Sequence, residues 1–165
     1  MASVYVSIGS NIERESNIRS CMQCLQADFT NVTFSSIYET PAIGFNGNPF
    51  FNLVAGFTTE FDPSALRDYL RKLEDAHGRV RNQDKYSART LDVDLLLYDG
   101  LNLQPEINLP HSDILAYPFV LFPLTEIAPN VLHPTLGRSL SALASESNLD
   151  RESLRLVALD GKFCF

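Results

Sequence analysis

Asp92 and Asp94 interrupt the most hydrophobic strand-like run of the chain, Leu91 to Tyr98, which carries Leu91, Val93, Leu95 and Leu97 at alternate positions. Side chains alternate along a strand, so both carboxylates point to one face, opposite those four apolar residues. Strand rise sets them about 7 Å apart along that face. Two carboxylates so placed resist full ionisation unless a cation joins them. Hard oxygen ligands at that spacing suit Mg²⁺, which takes one or two carboxylates and fills its shell with phosphate oxygens and water. Two ions about 4 Å apart would also fit. The same pattern describes a solvated strand face whose acids pair with neighbouring arginines, because Asp-x-Asp is a common spacing.

Arg79, Arg81, Lys85 and Arg89 stand just before this pair, in a stretch without apolar periodicity and in a chain of net charge −7. Guanidinium groups grip phosphate oxygens in forked pairs, and a loop that carries them can close over a polyphosphate. Cations and carboxylates together describe a metal–nucleotide site. Paired with each other, they would instead form a salt-bridge network that holds the loop. Neither Gly-x-x-x-x-Gly-Lys-Ser/Thr nor Gly-x-Gly-x-x-Gly occurs, so phosphate has to be held by side chains and metal.

The elements that must position these groups follow from the apolar spacing. Ser3 to Ile8 alternates as a strand and stops at Gly9-Ser10-Asn11. Ile18, Cys21 or Met22, Leu25 and Phe29 then mark one helical face. Val32–Tyr38 and Phe50–Phe61 read as strands joined by a loop too long for a tight hairpin. Asp62-Pro63 opens a second helix, with Leu66, Tyr69, Leu70 and Leu73 buried and Gly78 as its stop. Asp99-Gly100 after the carboxylate strand predicts a hairpin with a short returning strand at Leu101–Leu103. A short helix is expected to start close to Pro123, and a last one over Ser139–Ser145. Strand, helix, strand, strand, helix, strand is the order of an α+β, ferredoxin-like βαββαβ sandwich, here with C-terminal helical and hairpin additions.

The chain has 165 residues, of which 45% are hydrophobic and 20% charged, enough for one core and a single domain over 1–165. The acidic balance argues against nucleic acid and anionic membrane as partners. Met1 to Tyr5 lacks the basic start of a signal peptide, and no apolar run is long enough to span a bilayer. A cytoplasmic monomer is expected. Cys21 and Cys24 have the spacing of a redox pair, but they fall in mid-helix and not at the strand-to-helix turn that favours a thiolate. His77, His111 and His133 have no His or Cys neighbour at zinc-ligand spacing.

Gly78-Arg79-Val80-Arg81, Tyr86, Arg89-Thr90-Leu91-Asp92-Val93-Asp94-Leu95, Pro110-His111 and Phe119 to Pro129 resemble the 6-hydroxymethyl-7,8-dihydropterin pyrophosphokinase family. Ile8-Gly9-Ser10-Asn11 and Tyr38-Glu39-Thr40-Pro41 match it too, so the likeness runs from the first strand to about Pro129. The resemblance implies transfer of the β,γ-pyrophosphoryl group of ATP to the pterin hydroxymethyl group in folate biosynthesis, with release of AMP. It implies that Asp92 and Asp94 hold two Mg²⁺ ions and that Arg79 and Arg89 are catalytic loop contacts to the phosphates. Glu74, Arg81, Leu95 and His111 join those arginines around ATP. Thr40, Pro41, Ile43, Phe50, Asn52, Tyr86, Asp92 and Phe119 would take the pterin, with Phe50 and Phe119 sandwiching its ring and Asn52 reading its edge; flat heterocycles gain most from such an arrangement. Without the resemblance, both phenylalanines read as ordinary core. Three positions depart from the family. Tyr86 stands where many members have tryptophan, Tyr117-Pro118 replaces an Arg-Gly-like pair, and Phe50 is often tyrosine. The fold alone would equally suit a non-catalytic nucleotide- or metabolite-sensing module, and Asp-x-Asp also serves other metal-dependent transferases.

Overall fold

The computed structural model describes residues 1–42, 47–78 and 90–159. The elements are β1 (Ala2–Ser10), α1 (Arg14–Asp28), β2 (Thr30–Phe34), β3 (Ile37–Thr40), β4 (Phe50–Thr59), α2 (Pro63–Ala76), β5 (Asp92–Tyr98), α3 (Asp113–Ala116), α4 (Pro118–Ile127), α5 (Leu140–Glu146) and β6 (Arg155–Val157). One sheet runs β5-β1-β4-β3-β6 with β2 also on β4, and all its pairs are antiparallel. This is the expected ferredoxin-like arrangement.

The sheet is covered on both faces. Ile18, Cys21, Met22 and Leu25 of α1 and Leu66, Leu70 and Leu73 of α2 pack with Val4, Val6 and Ile8 of β1 and with Leu91, Val93 and Leu95. On the other face Val120, Leu121 and Leu124 of α4 pack with Val54, Leu96, Ile114 and Leu140. Asp62 caps α2 by accepting from the Ala65 N–H at 2.8 Å, with Pro63 at the first helical position. Among the described residues, no helix is long and apolar enough to cross a membrane.

Four expectations need correction. The strand expected over Val32–Tyr38 is two strands, broken at Ser35-Ser36. The Ser35 N–H donates to Val54 O at 2.8 Å and the Ser35 hydroxyl accepts from the Val54 N–H at 2.9 Å, so a side chain takes over part of the ladder. Leu97 does not share the face of Leu91, Val93 and Leu95: the β1–β5 register passes from Val6↔Leu95 to Tyr5↔Leu97, and this bulge sends Leu97 to the second core with Leu96. Leu101–Leu103 forms no returning strand. Asp99 does take the left-handed turn conformation (φ 47°), but the outer edge of β5 is met instead by the Glu74 carboxylate at Val93 N–H and by the His111 N–H at Leu96 O, while Pro105 and Pro110 have no N–H for a ladder. Finally, α4 starts at Pro118, and Pro123 lies inside it. The last helix falls where expected, with Ser139 accepting from the Ala142 N–H at 3.1 Å. β6, which no apolar pattern announced, pairs with β3.

Candidate active site

The β1 registers align Asp92 with Gly9 and Gly9 with Asn52, and β4 aligns Asn52 with Tyr38. Residues aligned in this way share a face, so Asp92 and Asn52 look the same way across a glycine, two strand spacings or about 10 Å apart. Asp94 pairs with Ser7 one step along that face. The face is the one covered by α4, whose first turn carries Phe119.

Asn52 and Thr40 are both buried, and the Asn52 Nδ2 donates to Thr40 Oγ1 at 2.6 Å. A Cβ on Gly9 would stand 2.9 Å from Asn52 Oδ1, so only glycine leaves the amide its place. Phe50, half-buried at the start of β4, pairs with Thr40. The structure thus brings Thr40, Phe50, Asn52 and Phe119 to one side of the sheet; Pro41 follows β3 on the surface. Ile43 and Tyr86 lie outside the described residues.

Toward the β5 edge, Glu74 is buried and its Oε2 accepts from the Val93 N–H at 2.9 Å. A cavity of about 400 Å³ opens there between α2, β5 and the segment before α3. Glu74, Asp94, Leu95 and His111 line it, and Arg67 and Arg71, one helical turn apart, line it from α2. Arg79, Arg81, Lys85 and Arg89 fall outside the described residues.

Asp94, His111 and Asp113 each bring a ligand atom within 4.8 Å of the others'. Asp113 escaped the sequence reading, although its place two residues after His111 was visible. Its backbone N–H donates to His111 Nδ1 at 3.1 Å, and its Oδ2 lies 3.8 Å from the same nitrogen. An accepting Nδ1 places the proton of the neutral ring on Nε2. Burial lowers the His111 pKa, against the pull of the Asp113 and Asp92 carboxylates in the other direction. The Asp94 and Asp113 carboxylates, with Asp92 on the strand face of Asp94, make an oxygen donor set that fits a divalent cation and leaves coordination positions for phosphate oxygen, while neutral His111 keeps its Nε2–H to donate.

Two tethers also went unread. The Ser10 hydroxyl donates to Thr90 O at 2.6 Å, and Asn11 Nδ2 donates to Asn48 O at 3.0 Å. Each ties the end of β1 to a chain segment bordering the site. Cys21 and Cys24 do lie in mid-helix, where burial pushes both thiols up, away from redox reactivity.

A family model described as 7,8-dihydro-6-hydroxymethylpterin-pyrophosphokinase (HPPK) matches residues 5–129. The chain is 33% identical over 152 residues to the 2-amino-4-hydroxy-6-hydroxymethyldihydropteridine pyrophosphokinase of Aquifex aeolicus, covering 90% of this chain and 94% of that one. It is 35% identical over 139 residues to the protein of that name in Haemophilus influenzae, covering 81% and 86%. The crystal structure of wild-type Plasmodium falciparum HPPK-DHPS with SDX-DHP superposes with a TM-score of 0.66 at 13% identity over 88% of this chain, a likeness of fold. This chain spans 43% of that longer one.

Proposed function

We infer the reaction from family membership: the chain belongs to the 7,8-dihydro-6-hydroxymethylpterin-pyrophosphokinase family, and it moves the pyrophosphoryl group of ATP to the hydroxymethyl group of 6-hydroxymethyl-7,8-dihydropterin in folate biosynthesis, releasing AMP. The observation that best supports a working site is the shared sheet face that sets Asp92 about 10 Å from Asn52 across Gly9, beside a cavity lined by Asp94. ATP occupies that cavity with its phosphates toward Asp94 and His111, and the pterin lies between Phe50 and Phe119 with its edge on Asn52 and Thr40.

Asp92 and Asp94 would hold Mg²⁺, with two ions as the full complement, and His111 and Asp113 adjoin them. Bound there, the metal supplies charge neutralisation for the phosphates. The residues do the rest by placement. Asn52 and the two aromatic rings orient the hydroxymethyl group for in-line attack on the β-phosphorus as AMP leaves. The transition state is loose, with its charge spread over oxygens, so positioning and electrostatic stabilisation outweigh removal of the hydroxyl proton. Neutral His111 offers its Nε2–H to a phosphate oxygen. Arg79, Arg81 and Arg89 close over the phosphates, and Tyr86 closes over the pterin. The same proposal includes a single-domain, monomeric, cytoplasmic enzyme.

Incubation with ATP, Mg²⁺ and the pterin tests the assignment. It predicts AMP and a diphosphorylated pterin in equal amounts. Release of inorganic pyrophosphate would mark a nucleotidyl transferase, and no turnover would mark a sensing module.

A further inference from the structure

We propose that Tyr117 is a positioning residue for the pterin: its ring backs the ring of Phe119 and holds it in the orientation on which a flat heterocycle stacks. The inference rests on Phe119 being one wall of the pterin site.

The Tyr117 and Phe119 rings lie within 20° of parallel with centroids 5.0 Å apart, an offset-stacked pair. Both rings are half-buried against the second core, and neither is sealed in it. A half-exposed phenylalanine on the first turn of a helix has rotamers to choose among. A second ring against one face removes that choice and leaves the other face for a ligand. Ordering before binding lowers the entropy cost of the bound state, so the gain belongs to pterin affinity.

Tyr117 suits this role because its own backbone is fixed on both sides. Its N–H donates to Asp113 O at 3.1 Å, closing α3, and its C=O accepts from the Val120 and Leu121 N–H groups at 3.2 and 3.1 Å, opening α4. Pro118 follows at the first helical position, where its ring sets φ. The Cα–Cβ direction of Tyr117 is therefore set by the joint between two helices and not by the ligand, and from there its ring meets that of Phe119. Tyr117 takes no part among the described residues lining the cavity assigned to ATP, so its influence should be confined to one substrate.

The test measures kcat, KM for both substrates and pterin Kd by fluorescence for Tyr117→Ala, Tyr117→Leu, Tyr117→Phe, Phe119→Ala and the Tyr117→Ala/Phe119→Ala pair. Losing the stack is expected to raise pterin KM and Kd about fivefold to tenfold in the alanine variant, with ATP KM changed less than about twofold. Tyr117→Phe, which keeps the ring, should restore both pterin constants. In the Phe119→Ala background, loss of Tyr117 should add less than about twofold, because the ring it backs is gone. Tyr117→Leu keeps the apolar bulk, so a raised pterin Kd in a leucine variant of unchanged melting temperature separates lost stacking from lost folding. An unchanged pterin Kd in that variant overturns the proposal, as do equal rises in both KM values or a Tyr117→Phe variant as weak as alanine. If Phe119→Ala itself leaves pterin binding unchanged, the pterin wall is wrongly assigned. If Phe119→Ala weakens binding and Tyr117→Ala does not, the wall stands and only the role of Tyr117 falls.

Discussion

Gly9 has no side chain because the Asn52 amide occupies the space in which one would stand, 2.9 Å from Oδ1. Gly9→Ala should therefore push Asn52 off its Thr40 bond and weaken pterin binding by about 1–2 kcal/mol, on the order of tenfold in KM. Titration of pterin fluorescence reads this, and an unchanged Kd would refute it. At the carboxylates, Asp94→Ala should abolish metal-dependent AMP formation and leave the far-ultraviolet circular dichroism spectrum intact, since Asp94 is only partly buried. Substantial residual turnover would remove Asp94 from the metal site. Asp92 and Asp94 were legible in the sequence because alternation along a strand is a local rule. Asp113 was not, since its approach to Asp94 depends on how the segment after β5 folds back.

At the scale of elements, Glu74 joins α2 to the edge of β5. Glu74→Ala strands the buried Val93 N–H, so it should cost about 1–3 kcal/mol of stability and also raise the KM for ATP. Urea denaturation and steady-state kinetics would check the two effects separately. The same contact explains why the hairpin expected after Asp99-Gly100 is missing. Turn chemistry specified the turn correctly, but a side chain and the His111 N–H had already taken edge positions that a returning strand needs. The break at Ser35 was hidden for a similar reason: a hydroxyl replaces a backbone partner without changing the apolar pattern. Helices with caps were the legible part, Asp62-Pro63 and Ser139 among them. In α4 two prolines competed for the first helical position, and periodicity could not choose in a segment apolar all round.

For the whole molecule, His133 gives a stability that depends on pH. It is buried, with Nδ1 accepting from the Thr135 and Leu136 N–H groups at 3.2 and 3.4 Å, and burial lowers its pKa below the usual 6.5. The unfolded chain then binds more protons than the folded one as pH falls through about 6.5, so this contribution to stability is present above that pH and lost below it. In His133→Asn the amide oxygen can accept the same N–H bonds without titrating. The wild type should thus lose stability relative to this variant between pH 7 and 5, measured as urea midpoints, and parallel curves would contradict the assignment. The sheet order was legible from the succession of elements, because antiparallel pairing with a helix after the first and third strands leaves few unknotted arrangements. That Asp92 and Asp94 share a face with Asn52 was not, since it depends on registers set by packing.

In the proposed reaction two phosphorus atoms move together from ATP to the pterin. ATP labelled separately at the α-, β- and γ-phosphorus, incubated with the protein, Mg²⁺ and 6-hydroxymethyl-7,8-dihydropterin, decides it. The β and γ labels are predicted on the pterin product and the α label on AMP, with the transfer lost in Asp94→Ala. A γ label alone on the pterin, with ADP formed, or an α label on the pterin would contradict the account.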